Sequence, residues 1–131
     1  MHASRPVIVM QVPERLYETE AEVFRNELKS LLEAERPRIV LDCSEVKDID
    51  SKGVDMLLHS MDEAMKRDGD VKLAAVGPGS AVILELMKVD RLFEMFDTTD
   101  EAVRSFHALP LYDIPQEQDW AQGAGSFEVA S

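Results

Sequence analysis

Six consecutive residues, Asp48-Ile49-Asp50-Ser51-Lys52-Gly53, set one hydroxyl between carboxylates and an amine. Ser51 falls where a polar stretch gives way to a helical pattern. Two chemistries are open to a serine there. Its hydroxyl can act as an N-cap, accepting a backbone N–H of the first turn. It can also accept a phosphoryl group, because free N–H groups and the helix dipole favour an anion at a helix start. Asp48, Asp50 and Asp55 surround it in sequence. A phosphate would add about two negative charges to that acidic neighbourhood. The consequence is a surface that no longer fits its partner. Gly53 lowers helix propensity only in the first turn, and its missing side chain lets another backbone approach closely.

Other candidates give less. Asp42, at the end of a strand pattern, resembles the acceptor of a response-regulator receiver domain. The acidic pair after the first strand and the late-strand Lys that such a site needs are not there. Asp42 is read instead as bonding the loop that follows it. Gly77-Pro78-Gly79-Ser80 lacks the Lys and spacing of a P-loop and is read as a turn with a Ser cap. His2, His59 and His107 are scattered, and His59 lies one position off a helix stripe. Cys43 reads as a small buried filler. Asp42, Glu45, Asp48, Asp50 and Asp55 read as a solvated acidic loop. No catalytic residue, metal ligand or cofactor is expected, and the chain is not read as an enzyme.

The whole composition agrees with a binding protein. The chain has 131 residues, is 45% hydrophobic and carries a formal charge of −12. That suits one globular domain and excludes phosphate-backbone binding, which needs clustered Lys and Arg. Nucleic acid is therefore not an expected partner; a basic partner is admissible. No apolar run reaches the roughly 20 residues of a membrane span, so no direct membrane insertion is expected. The first residues lack the apolar centre of a signal peptide, and a cytoplasmic location follows as the expectation. One cysteine excludes an internal disulfide.

The elements that must position Ser51 follow from periodicity. Val7–Val12 predicts a strand. Thr19 with Glu22 fits a capping box, followed by Phe24, Leu28, Leu31 and Leu32 at helical spacing, and Pro37 ends that helix. Ile39-Val40-Leu41 predicts a central strand covered on both faces, and Asp42–Asp50 a polar loop. Val54, Leu57, Leu58, Met61, Ala64 and Met65 predict a helix from near Ser51. Asp68-Gly69-Asp70 predicts its stop, and Val71–Val76 the next strand. Ser80 would cap a helix over Ala81–Lys88, Phe93–Phe96 is a short strand candidate, and Thr98 with Glu101 opens a last helix. The alternation implies an α/β domain with a mostly parallel sheet of about four strands, packed helices and right-handed crossovers. Residues 1–109 are read as this domain. Residues 110–131, with Pro110, Pro115, Gly123 and Gly125, are read as a tail, flexible or laid over the domain surface, with Trp120 and Phe127 available to dock on the domain or on a partner.

Val46 to Val54 resembles the signature of STAS-domain anti-sigma-factor antagonists, in which a strand ending in Asp leads through a loop to Asp-Ser-x-Gly at a helix start. Ile39-Val40-Leu41-Asp42, the Gly69–Pro78 segment and Val89-Asp90-Arg91-Leu92-Phe93 resemble further family segments in the same order, so the likeness runs from near Val7 to Phe106. The resemblance implies a single STAS-like domain of a bacterial partner-switching phosphoprotein in transcription regulation. It implies binding to an anti-sigma factor that is a serine kinase, phosphorylation at Ser51, and restoration by a PP2C-type phosphatase. Asp48, Asp50, Lys52 and Gly53 would be partner-contact residues by adjacency. Lys52 stands where relatives often carry a second small residue. Relatives also usually have residues ahead of the Val7–Val12 strand. The family allows an alternative, a non-phosphorylated STAS subunit of a transporter or stress-signalling complex.

Overall fold

The computed structural model describes residues 6–107; the expected tail over 110–131 lies outside the described residues. Four strands, β1 (Ile8–Gln11), β3 (Arg38–Asp42), β5 (Asp70–Ala74) and β6 (Met95–Phe96), form one sheet in the order β1-β3-β5-β6. Every pairing in it is parallel, with Ile39 opposite both Ile8 and Val71. Parallel neighbours require crossovers, and the helices supply them: α1 (Glu18–Leu32), α2 (Ser51–Met65) and α3 (Pro78–Leu86), with α4 (Thr99–His107) last. The α/β architecture read from the alternation is the architecture observed.

Strand alternation sorts the core into two layers. Ile39, Leu41, Val71 and Leu73 face the larger cluster, where they meet Phe24 and Leu28 of α1, Val54 and Leu57 of α2, and Leu84 of α3. Val40 and Ala74 face the other way, onto Ala102 of α4 with Val7, Phe96, Val103 and Phe106 half-buried around it. Lys72 shares that second face and is buried there. Its ammonium bonds Ser105 Oγ at 2.7 Å and Glu94 Oε1 at 3.1 Å. It also lies 4.1 Å from the Phe106 ring centroid. Among the described residues α4 covers this face, and it packs on the Lys72 side chain as well as on apolar groups.

Several local expectations need correction. α1 starts at Glu18 with Tyr17 as N-cap and no side-chain cap bond, so Thr19 and Glu22 form no capping box. Thr19 lies two residues past the N-cap and Glu22 five, so both are inside the helix. α3 starts at Pro78 behind Gly77, because Pro at N1 forgoes an N–H that had no partner anyway. Ser80 is therefore inside the helix, where it is buried and does not cap. The Phe93–Phe96 candidate shrinks to Met95–Phe96, preceded by a 3-10 turn over Asp90–Leu92. Met65, counted on the apolar stripe of α2, is exposed, although Ala64 beside it is buried in the core. The last helix matches its forecast: the Thr98 hydroxyl accepts the Glu101 N–H at 3.1 Å.

Candidate functional site

Two strands that the pattern did not reveal hold the Asp48–Gly53 stretch in place. β2 (Arg15–Leu16) pairs in parallel with β4 (Asp48–Ile49) as a separate two-stranded sheet. The Lys47 and Asp48 N–H groups donate to the Glu14 carbonyl at 2.7 and 3.3 Å, and the Asp50 N–H donates to the Leu16 carbonyl at 3.4 Å. Lys47 Nζ and Glu14 Oε2 add an ion pair at 2.9 Å. Hydrogen bonding to Lys47, and then its charge, lower the Glu14 pKa, and the same contacts raise that of Lys47. Both side chains are exposed, so the pair adds little stability. The loop read as simply polar is therefore stapled to the segment before α1.

The helix start itself differs from expectation in one decisive respect. Asp50, not Ser51, is the N-cap of α2: it has extended backbone, and its Oδ1 accepts the Gly53 N–H at 3.0 Å. Ser51 is the first helical residue and is exposed. Its hydroxyl makes no hydrogen bond among the described residues. The capping role offered to Ser51 is taken by its neighbour, which leaves the hydroxyl facing solvent.

The other predicted residues scatter by role. Asp48 is exposed and Asp50 half-buried. Gly53 is buried, and a Cβ there would run into the Leu16 backbone carbonyl and the Ile49 side chain. Its value is the close approach of α2 to β2. Lys52 is exposed and lines a groove of about 500 Å³ between α1 and α2, with Glu18, Glu22, Arg25, Asp55 and His59. One step along a helix turns a side chain by about 100°, so Lys52 and Ser51 open onto different surfaces. Asp42 bonds its own loop, accepting the Ser44 N–H at 2.9 Å. Burial, and then the charge of Asp42, push the Cys43 thiol up to about 12, and its Sγ donates weakly to the Leu41 carbonyl at 3.6 Å. Such a thiol is not a nucleophile near neutral pH. Among the described residues no group of His, Cys, Asp or Glu is placed to hold a metal. Sequence reasoning missed the Glu14–Lys47 staple, because strands of two residues carry no periodic signal.

The STAS-domain family profile matches residues 1–102 of the chain. This chain belongs to the STAS domain family. The parallel sheet and four helices are the STAS fold seen in solved structures. Thermotoga maritima TM1081 aligns with a TM-score of 0.71 and 22% identity, over 78% of this chain and 88% of that one. The Bacillus anti-sigma factor antagonist SpoIIAA, unphosphorylated, aligns with a TM-score of 0.67 and 18% identity over 84% and 96%. The STAS domain of a Vibrio cholerae SulP transporter aligns with a TM-score of 0.63 and 15% identity over 81% and 84%. At these identities the likeness establishes the fold alone. None of the curated proteins compared matches the sequence. Among the described residues no helix is long and apolar enough to cross a membrane.

Proposed function

We propose that this STAS domain is an anti-sigma-factor antagonist that binds a serine-kinase anti-sigma factor and is released when the kinase phosphorylates Ser51. The observation that carries the reading is the exposed Ser51 hydroxyl at a helix start whose cap is already Asp50. Phosphorylation there breaks no cap, so the fold stays intact and only the surface changes. The added charge falls beside Asp50 and near exposed Asp48 and Asp55, and burying so concentrated a charge under a docked partner is costly. Asp48, Asp50 and Lys52 supply contacts, while Gly53 sets the backbone that presents them. A PP2C-type phosphatase returns the protein to its binding form. The protein acts by binding, without catalysis, in the bacterial cytoplasm. Structural neighbours that include SpoIIAA in both unphosphorylated and phosphorylated forms support this reading.

Incubation with the cognate serine kinase and ATP should label the wild type and leave Ser51→Ala unlabelled. Label retained in Ser51→Ala would sink the assignment. Ser51→Asp should weaken kinase binding without lowering thermal stability. A second reading, a constitutive STAS subunit of a transporter or stress-signalling complex, is favoured by the likeness to transporter STAS domains. It requires stable co-purification with such a partner and no phosphate on Ser51 in cells.

A further inference from the structure

We propose that a trough between the end of β1 and α1, lined by none of residues 46–55, receives a short basic segment of a partner protein anchored by one or two apolar side chains. The trough has a volume of about 440 Å³ and runs from the end of β1 to the α1 residues Glu20, Val23, Phe24 and Glu27. Those four share one side of the helix by the i, i+3, i+4, i+7 rule. Val12 and Phe24 are buried in its floor, but Val23 is 55% exposed. An exposed β-branched residue above a buried apolar floor leaves apolar surface for an occupant to cover.

Charge identifies the occupant. Glu20 and Glu27 lie at the two ends of this side of α1, about 10 Å apart at 1.5 Å per residue. Glu45 and Glu14 complete the rim, and among the described residues no Lys, Arg or His lines the trough. Glu14 is engaged by Lys47, so the acids open to a ligand are Glu20, Glu27 and Glu45. Acids at both ends of an apolar strip call for an apolar anchor flanked by Lys or Arg. A second copy of this chain, at a net charge of −12, would bring mainly acids to the same rim.

The test is NMR titration of the full chain with an acetylated, amidated peptide, Lys-Arg-Leu-Leu-Arg-Lys, against its Lys-Arg-Ser-Ser-Arg-Lys counterpart of equal charge. The leucine peptide should shift the amides of Gln11, Thr19, Val23 and Glu27 and bind at least tenfold tighter than the serine peptide. Val23→Ser should abolish the difference between the two peptides, and Glu20→Lys with Glu27→Lys should weaken the leucine peptide at least tenfold. Circular dichroism and melting of each variant confirm the fold. Equal binding of both peptides, shifts confined to Asp48–Asp55, or unchanged binding by the variants would overturn the assignment. So would concentration-dependent self-association abolished by Val23→Ser, or shifts at Gln11 and Val23 on removing residues 2–5 without peptide, since either names another occupant. Ser51→Ala should leave peptide binding unchanged, so this site and the Ser51 switch fail separately.

Discussion

Asp50 and Ser51 are neighbours at one helix start and answer to different demands. Asp50 satisfies the Gly53 N–H, and removing such a cap costs about 1 kcal/mol. Ser51 satisfies nothing within the described fold, so its truncation should fall within about 0.5 kcal/mol. Urea unfolding of Asp50→Ala and Ser51→Ala should show that split. A larger loss in Ser51→Ala would restore the capping role to the serine. Gly53 makes a third, sharper case. A methyl group at that position meets the Leu16 carbonyl, which is itself held by the Asp50 N–H. Gly53→Ala should therefore lose about 2 kcal/mol by forcing α2 away from β2, although alanine is the better helix former. An unchanged midpoint would show that the contact relaxes freely. At this scale the sequence located the helix start but could not choose its cap. Asp and Ser have equivalent capping chemistry, they are adjacent, and a one-residue offset in the helix frame decides between them.

Elements were legible in proportion to their length and burial. β3 is a continuous β-prone run because both faces are covered, and α2 shows its stripe because one side packs on the sheet. β2 and β4 are invisible because two residues cannot show a period, yet they fix the loop before Ser51. Lys72 escaped notice for another reason. A lone Lys in a strand normally marks the wet face, whereas here α4 closes over it. That closure makes a prediction about α4. Ser105 keeps an acceptor in the Ala102 carbonyl at 2.7 Å without Lys72, and Glu94 is exposed enough to be hydrated. Removing the ammonium therefore leaves no buried group stranded. Lys72→Met, which keeps the volume, should change stability by less than about 1 kcal/mol or raise it. Lys72→Ala should lose about 2 kcal/mol by opening a cavity under Phe106. Hydrogen exchange should show the loss first in the α4 amides, because that helix has the thinnest apolar seat. Equal losses in both variants would mean that the charge, not the stem, holds α4.

For the molecule as a whole, the sheet determines where binding can occur, and the net charge of −12 determines how sensitive it is to salt. Among the described residues three helices cover one face and one covers the other, which leaves the strand ends, the α1–α2 groove and the outer side of α1 open. The outer side of α1 and the loop before Ser51 are rich in acids, whereas the α1–α2 groove mixes Glu18, Glu22 and Asp55 with Arg25 and Lys52. The same excess of acid acts on stability. The ion pairs Lys47–Glu14, Lys66–Asp62 and Arg104–Asp100 are exposed, so screening them loses little. The unpaired acids repel one another over distances beyond the roughly 8 Å Debye length of physiological salt, and screening relieves that repulsion. Relief should exceed loss. Raising NaCl from about 20 to about 300 mM at pH 7 should therefore raise the melting temperature by a few degrees, the equivalent of about 1 kcal/mol for a domain of this size. Potassium glutamate at equal ionic strength should do the same, which separates screening from chloride binding. A fall in melting temperature with either salt would mean that the exposed pairs contribute more to stability than the repulsion removes. Binding through an acidic site should move in the opposite direction, weakening as the salt stabilises the fold.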